Sequence, residues 1–324
     1  MASRLCNKSA TGAFAARGGA DAAAQEPPGG GRKKQSEVTE QPAKGALKRA
    51  RDTLSTSSST ISSTPASTLA ADFAAPFRQW RTWFLMANQD VRLRYKRSVI
   101  GPFWISLTLV ATILGIGLLY SLIFRQEFVS FLTFFACGIL AWNFLSTLLS
   151  EGVGAVVEAD HHLRSVPIRM TVLSSRTVYR NLLIFGHNAL VVLVMLVLFG
   201  HQFSLTAFLA IPGIFAYVLL GFFWTVTMAP LATRFRDIPQ VVTSILQMMF
   251  FLTPIFWRPE FISERPVITE ANPFYHLLEI IRAPLLGDLP TATNWAVTLA
   301  IVAFLGALAA ATNGYTRKRI FLWL

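Results

Sequence analysis

Residues whose types and spacing could do chemistry are few in this chain. The seven aspartates include no adjacent or next-but-one pair, so no carboxylate cluster is available to hold Mg²⁺ and a pyrophosphate group. No glycine is followed directly by lysine, which excludes the phosphate-binding loop of P-loop ATPases. His161 and His162 are neighbours that would point about 100° apart on a helix, and no third ligand is evident. The sequence therefore predicts no catalytic residue, no metal site and no cofactor bound by this chain.

The composition indicates a membrane protein. Of the 324 residues, 53% are hydrophobic and 14% are charged, where a soluble domain carries roughly 25% charged residues. The formal net charge of +12 would suggest a nucleic-acid partner in a soluble protein. In a membrane protein the same excess of Lys and Arg sets orientation, so we expect a membrane partner and no nucleic acid.

The elements that must position any functional residue begin after a change of composition near residue 72. Residues 1–71 are basic, rich in Ser and Thr, and poor in large apolar side chains, which predicts a disordered cytoplasmic tail. A lipid-binding arm and a start site assigned too far upstream are the alternatives. Residues 72–324 form the second unit, a transmembrane domain.

Six long stretches in the second unit contain no Asp, Glu, Lys or Arg and approach the ~20 residues of one bilayer crossing. They are 103–124, 131–150, 182–200, 207–231, 241–257 and 295–313. Fifteen of the 19 basic residues after position 71 fall on one side of these crossings. The sequence thus predicts an all-α polytopic protein of the cytoplasmic membrane, with six transmembrane helices and both termini in the cytoplasm.

Two segments are neither loops nor crossings. Residues 77–96 place Phe77, Trp80, Phe84, Ala87, Val91 and Tyr95 on one helical face, which predicts an N-terminal interfacial helix on the cytoplasmic surface. Residues 258–294 contain short apolar runs broken by proline, which predicts short external re-entrant helices before the sixth crossing.

Because the chain has no nucleotide-binding motif, we expect an energy source to act on it through a cytoplasmic contact. The longest internal cytoplasmic segment carries a polar run at 158–165 that suits a short helix seated in the groove of a partner. The candidate coupling residues are Glu158, Asp160, His161, His162 and Arg164. In the alternative interpretation, the charges of the wider segment 151–180 only anchor the ends of crossings 2 and 3.

Five separated blocks, in order, resemble the permeases that export polysaccharides in ABC transporters. They are residues 90–104 (DVRLRYKRSVIGPFW), 233–240 (TRFRDIPQ), 252–257 (LTPIFW), 272–275 with 281–285, and 315–320. The resemblance runs from about residue 75 to the end. It implies a homodimer of six-crossing permeases bound to two copies of a separate P-loop ATPase, which would hold ATP and Mg²⁺. It also implies export of lipid-linked O-antigen, capsular polysaccharide or teichoic acid.

Two sets of site residues follow as hypotheses from that resemblance. Arginine offers paired donors to a polyprenyl pyrophosphate at the cytoplasmic face, and the candidates are Arg94, Arg97, Arg234 and Arg236. Aromatic rings stack against sugars, and the candidates for a glycan channel are Trp104, Tyr120, Trp142 and Phe250. Topology anchoring remains the alternative for each arginine, and a membrane scaffold for glycan assembly remains the alternative to transport.

Overall fold

The computed structural model describes residues 69–96, 103–159, 168–259 and 267–316. These residues form ten α-helices and no β-strand, so the all-α prediction is confirmed for them. The helices are α1 Leu69–Arg78, α2 Trp80–Tyr95, α3 Phe103–Phe124, α4 Phe128–Glu158, α5 Met170–Leu198, α6 Ala210–Arg234, α7 Ile238–Leu252, α8 Val267–Glu270, α9 Pro273–Leu286 and α10 Ala292–Thr316. A 3₁₀ turn, Leu205–Leu209, leads into α6.

Five helices among the described residues are long and apolar enough to cross a membrane: α3, α4, α5, α6 with its leading turn, and α10. They confirm a polytopic membrane protein and correspond to five of the six predicted crossings, with α5 ending two residues before its predicted crossing does. Helices α4 and α5, of 31 and 29 residues, are longer than their predicted crossings because regular hydrogen bonding continues past the apolar stretch. Their extra turns carry charged side chains beside one another.

The predicted fifth crossing is not one continuous helix. Helix α7 has 15 residues and is therefore about 22 Å long, shorter than the ~30 Å of a hydrocarbon core. It ends at Leu252 because Pro254 restricts Thr253 to an extended conformation, with ψ at 138°. The rest of the predicted crossing, residues 253–257, continues without helix, and Ile255 is fully buried.

Helix α4 is the central element of the bundle. Its side chains are buried almost without interruption from Phe131 to Leu145. Helix α6 lies close against it at Gly152, where a Cβ atom would stand 2.6 Å from Thr225 Oγ1. Small residues at helix contacts allow such approach and are typical of membrane bundles. The bundle has a basic end, formed by Lys96, Ala159, Arg169 and Phe235, and a far end, formed by Arg125, Phe199, Thr253 and Gly287.

The predicted interfacial helix is two helices, α1 and α2, separated at Gln79. Phe77 is 82% exposed and Trp80 50% exposed, whereas Ala87, predicted to lie on the same face, is fully buried. The face divides because α2 packs on α5, where the Trp83 and Tyr179 rings are 5.3 Å apart. The exposed aromatic residues suit a membrane surface.

Helix α1 is held by polar contacts at the basic end. Arg169 Nη1 lies 3.3 Å from Asp72 Oδ1, and Thr171 donates to the Asp72 carbonyl at 2.7 Å. Because α1 begins at Leu69, the predicted division near residue 72 falls inside this helix. The tail predicted for residues 1–71 lies, up to residue 68, outside the described residues.

Helices α8 and α9 occupy the segment predicted to hold short re-entrant helices. Asn272 caps α9 by accepting from Phe274 N at 2.9 Å, Pro273 opens it, and Gly287 ends it at a φ of 98°. Residues 276–278 and 280–285 of α9 are buried, so this helix enters the bundle. It packs on α4, α6 and α10.

Candidate coupling interface and conduit surface

A network of charged side chains joins three helices at the basic end. Each helix presents its charges at a spacing that repeats on one helical face. Helix α2 contributes Asp90 and Arg94, α4 contributes Glu151 and Glu158, and α5 contributes Arg176 and Arg180. We call these six residues the basic-end network.

The two arginines of α5 are the buried members of the network. Arg176 forms a bidentate ion pair with Asp90, in which its Nε and Nη2 atoms lie 2.6 and 2.7 Å from the two carboxylate oxygens. Arg180 lies 2.8 Å from Glu151, 3.1 Å from Glu158 and 3.5 Å from Asp90. The arginine side chains are only 8% and 6% exposed. A buried charge needs a partner, so these contacts fix α5 against α2 and α4.

Glu151 connects the network to the interfacial helices. Its Oε1 accepts from Arg94 at 3.0 Å, while Oε2 accepts from Arg180 and from Asn181 Nδ2 at 2.9 Å. Three carboxylates therefore face three guanidinium groups, and the charges balance. Rigid, charge-matched contacts of this kind can transmit a displacement from one helix to another.

One of the five predicted coupling residues, Glu158, belongs to this network. Glu158 is the last residue of α4 and pairs with Arg180. Asp160, His161, His162 and Arg164 lie outside the described residues. Residues 160–167 follow the end of α4 directly, so the network stands at the base of the predicted coupling segment.

The predicted headgroup arginines have different surroundings. Arg94 pairs with Glu151, and its side chain is 40% exposed. Arg234 and Arg236 are exposed at the turn between α6 and α7, and the Arg234 guanidinium stands 5.4 Å from the Phe235 ring. Arg97 lies outside the described residues. Their role in binding a pyrophosphate stays a prediction.

Three of the four predicted channel aromatics meet inside the chain. The Tyr120 ring is 5.6 Å from Phe256, which is 5.8 Å from Phe250, which is in turn 5.8 Å from Trp142. Trp142 is buried at 5% exposure. Trp104 is 58% exposed on α3. Unlike the other three rings, it therefore lies on the outer surface of the chain. Their contact with glycan stays a prediction.

Helix α7 carries a polar stripe that sequence reasoning missed. It consists of Gln240, Thr243, Ser244 and Gln247, all exposed and within about 100° of arc on the helix. The hydroxyls of Thr243 and Ser244 bond to carbonyls of their own helix. The two glutamine amides make no hydrogen bond with any described residue. The spacing of the stripe is visible in the sequence, but its residues are uncharged and so do not stand out from the apolar pattern that predicts the crossings.

A second exposed stripe runs beside the first on α7. It is apolar, consists of Val241, Ile245, Met248 and Leu252, and covers about 60° of arc. Leu246 is the one buried residue of the helix. Helix α7 therefore leaves most of its surface uncovered by the described part of the chain.

These features define a polytopic α-helical permease, the membrane-spanning subunit of a transporter. More particularly, the chain belongs to the ABC-2 type transporter family, whose model matches residues 81–286. Membership implies a separate ATP-binding subunit, the partner that supplies energy to an ABC transporter.

Curated relatives point to the same family. The chain is 25% identical over 201 residues to the O-antigen export system permease protein RfbA of Myxococcus xanthus, a match that covers 61% of this chain and 77% of that protein. It is 22% identical over 182 residues to the protein of the same name from Klebsiella pneumoniae, covering 56% of this chain and 70% of that one.

Proposed function

We propose that this chain is the permease that carries a lipid-linked polysaccharide, an O-antigen or a related cell-surface glycan, across the cytoplasmic membrane. The named relatives supply the class of substrate. Capsular polysaccharide and teichoic acid are the related substrates that the same permease design would serve. In this proposal the basic end of the bundle faces the cytoplasm, and both termini are cytoplasmic.

The observation that carries this proposal is the polar stripe of α7. A primary amide without a hydrogen-bond partner is costly against lipid. Polar side chains within membrane segments face the bundle interior or a water-filled cavity. Gln240 and Gln247 therefore line an aqueous path, and a stripe of amides and hydroxyls suits a polyhydroxylated substrate.

A second copy of the chain completes that path. Helix α7 exposes its polar and apolar stripes side by side, which is the pattern of a helix that touches a partner with one face and water with the other. Two copies related by a twofold axis would pack their apolar stripes and surround one conduit with their polar stripes. The transporter is thus a homodimer with two ATPase subunits.

The ATPase pair, which binds ATP and Mg²⁺, acts on the interfacial helices and on the coupling segment 158–165. Displacement of this segment reaches α2 through the basic-end network, because Glu158 and Glu151 share Arg180. Movement of α2 on the membrane surface then tilts the bundle and opens the conduit. The pyrophosphate of the lipid carrier binds at the same end, to the predicted headgroup arginines Arg94, Arg97, Arg234 and Arg236.

The proposal is tested by removing the amides of the stripe. In cells that lack their own copy of the gene, a Gln240→Leu/Gln247→Leu variant should insert at normal levels and lose most of its glycan export, because the conduit loses its polar lining. Export is measured as glycan at the cell surface, with lipid-linked glycan retained inside as the complementary readout.

The matched control changes the neighbouring apolar stripe. Met248→Leu, one residue from Gln247, conserves volume and should leave export unchanged. Wild-type export by the double glutamine variant would contradict the conduit surface. Absence of any glycan export when the wild-type gene is restored would contradict the function itself.

A further inference from the structure

A polar cavity lies at the far end of the bundle, outside the basic-end network and the stripe of α7. Its volume is about 700 Å³, within the ~300–1,000 Å³ typical of ligand pockets. The start of α4, the turn after α5, residues 258 and 259, and α9 form its walls. Gly200 and Asp288 are among its lining residues.

Two arginines share one aromatic ring in the cavity wall. The guanidinium carbon of Arg282 stands 4.4 Å from the centroid of Phe134, and that of Arg258 stands 5.2 Å from it. The ring attracts both cations, so it holds two like charges together that would otherwise separate.

The two arginines differ in how fully the protein satisfies them. Arg282 is 1% exposed, pairs with Glu279 and donates to the Pro254 carbonyl, so it fixes α9 to the residues after α7. Arg258 donates to Ser130 Oγ at 2.9 Å and forms no ion pair within the described residues. The Nε atoms of both arginines are buried without a hydrogen-bond partner there. Arg258 is half-buried, lines the cavity and has no carboxylate partner among the described residues, so its guanidinium group can donate to a ligand.

The rest of the lining offers acceptors as well as donors. Glu127 and Asp288 are exposed carboxylates at the mouth, and Gln202 adds an amide. With Glu279, the lining contains three carboxylates against two arginines. This excess of negative charge disfavours a phosphate as the ligand. Hydroxyl groups can both donate to carboxylates and accept from guanidinium groups.

From this arrangement we propose that the cavity is a carbohydrate-binding site that takes a neutral sugar unit through its hydroxyls, with Arg258 as the principal donor. The origin of the sugar rests on the proposed function, because a glycan that leaves the conduit would reach the far end. Binding of a sugar in the cavity does not itself require transport. A site at this end would hold exported glycan after its passage.

The test measures sugar binding to the purified chain in detergent micelles by saturation-transfer NMR. Mannotriose serves as the neutral probe, and inorganic phosphate serves as the anionic competitor. Wild-type protein should transfer saturation to mannotriose, and millimolar phosphate should not displace it. Arg258→Gln should reduce the transfer at least fivefold.

Arg125→Gln is the matched control, because Arg125 is an exposed arginine at the same end and does not line the cavity. It should bind mannotriose as wild type does. Ser130→Ala removes the hydroxyl partner of Arg258 but keeps the arginine, so it should retain binding. It shows whether a change in this wall of the cavity abolishes binding merely by disturbing the fold.

No transfer to mannotriose, or equal transfer in Arg258→Gln and wild type, would overturn the carbohydrate site. Displacement by phosphate would overturn it in favour of an anion site. These results are independent of export, which is measured in cells. A chain that exports glycan but binds no sugar would contradict this site alone.

Discussion

At the scale of single residues, the burial and pairing of charge are clearest at Arg176 and Arg180. One interpretation of the sequence is that these arginines only anchor the ends of crossings 2 and 3. In the structure both side chains are nearly buried and pair with carboxylates of two other helices, while Arg180 Nε has no hydrogen-bond partner among the described residues. A guanidinium group taken out of water needs such partners, so the positions of Asp90 and Glu151 follow from those of the arginines.

The coupling between Asp90 and Arg176 is measurable by a double-mutant cycle. Asp90→Asn should lower the free energy of unfolding by about 3 kcal/mol, because it leaves the buried Arg176 without a carboxylate. Adding Arg176→Gln should recover part of that loss, with a coupling energy of about 1–3 kcal/mol. Chemical denaturation in detergent micelles gives both values.

Asp237→Asn is the control for the cycle. Asp237 is exposed and makes no side-chain cap bond at α7, so this change should alter stability by less than about 0.5 kcal/mol. Additive effects of Asp90→Asn and Arg176→Gln would show that the two residues do not interact.

At the scale of elements, the entry of α9 into the bundle depends on a small residue of α6. A Cβ atom at Gly213 would stand 2.7 Å from the carbonyl oxygen of Ile280, a backbone atom that cannot rotate away. The buried face of α9 therefore requires glycine at this position. The same helix supplies Arg282 and Glu279 to the far-end cavity.

Gly213→Ala should force α6 and α9 apart and lower the free energy of unfolding by about 1–3 kcal/mol. Thermal unfolding in detergent micelles and the amount of protein in the membrane report the effect. Gly186→Ala is the matched control, because nothing lies within 4 Å of its added Cβ. It should be neutral or stabilising by up to ~1 kcal/mol, as alanine favours helix. Equal stability of the two variants would contradict the close contact.

At the scale of the whole molecule, the uncovered surface of α7 bears on how copies of the chain assemble. The bundle buries a single side chain of this helix, Leu246, and leaves two stripes uncovered. A monomer in lipid would expose the amides of Gln240 and Gln247. The proposed homodimer would remove that cost by packing the apolar stripes together and turning the polar stripes toward a water-filled conduit.

Cysteine cross-linking tests the homodimer in native membranes. With Cys6 replaced by Ser, Val241→Cys, Ile245→Cys or Met248→Cys should give a covalent dimer on mild oxidation or with a short bismaleimide. Disulfide formation needs Cα atoms within about 7 Å, so the yield should vary along the helix.

Val194→Cys on α5 is the matched control, because Val194 and Val241 are both 53% exposed. It should give little dimer. Equal cross-linking at Val194 and at the α7 positions, or none at any of the three, would contradict an α7 interface.

The sequence alone determined the class of this protein. Apolar stretches long enough to span a bilayer must be helical, because no other open structure satisfies the backbone in lipid. That constraint predicted the five long helices, and the bounds of α3 to the residue, but it missed the charged turns by which α4 and α5 extend past their apolar stretches. The bounds of α9 were not predicted, although Asn272, Pro273 and Gly287, which cap it in the structure, are local signals present in the sequence.

Only the tertiary structure decided which side chains meet. Hydropathy does not record that Asp90, Glu151 and Arg180, separated by up to 90 positions, share one cluster. Nor does it show that Pro254 shortens the fifth crossing, or that α7 exposes the amides of Gln240 and Gln247. The physical reason is that the pattern of apolar residues reflects only how favourably a segment enters lipid. Which buried charges form ion pairs depends instead on how helices that are distant in the sequence pack in three dimensions.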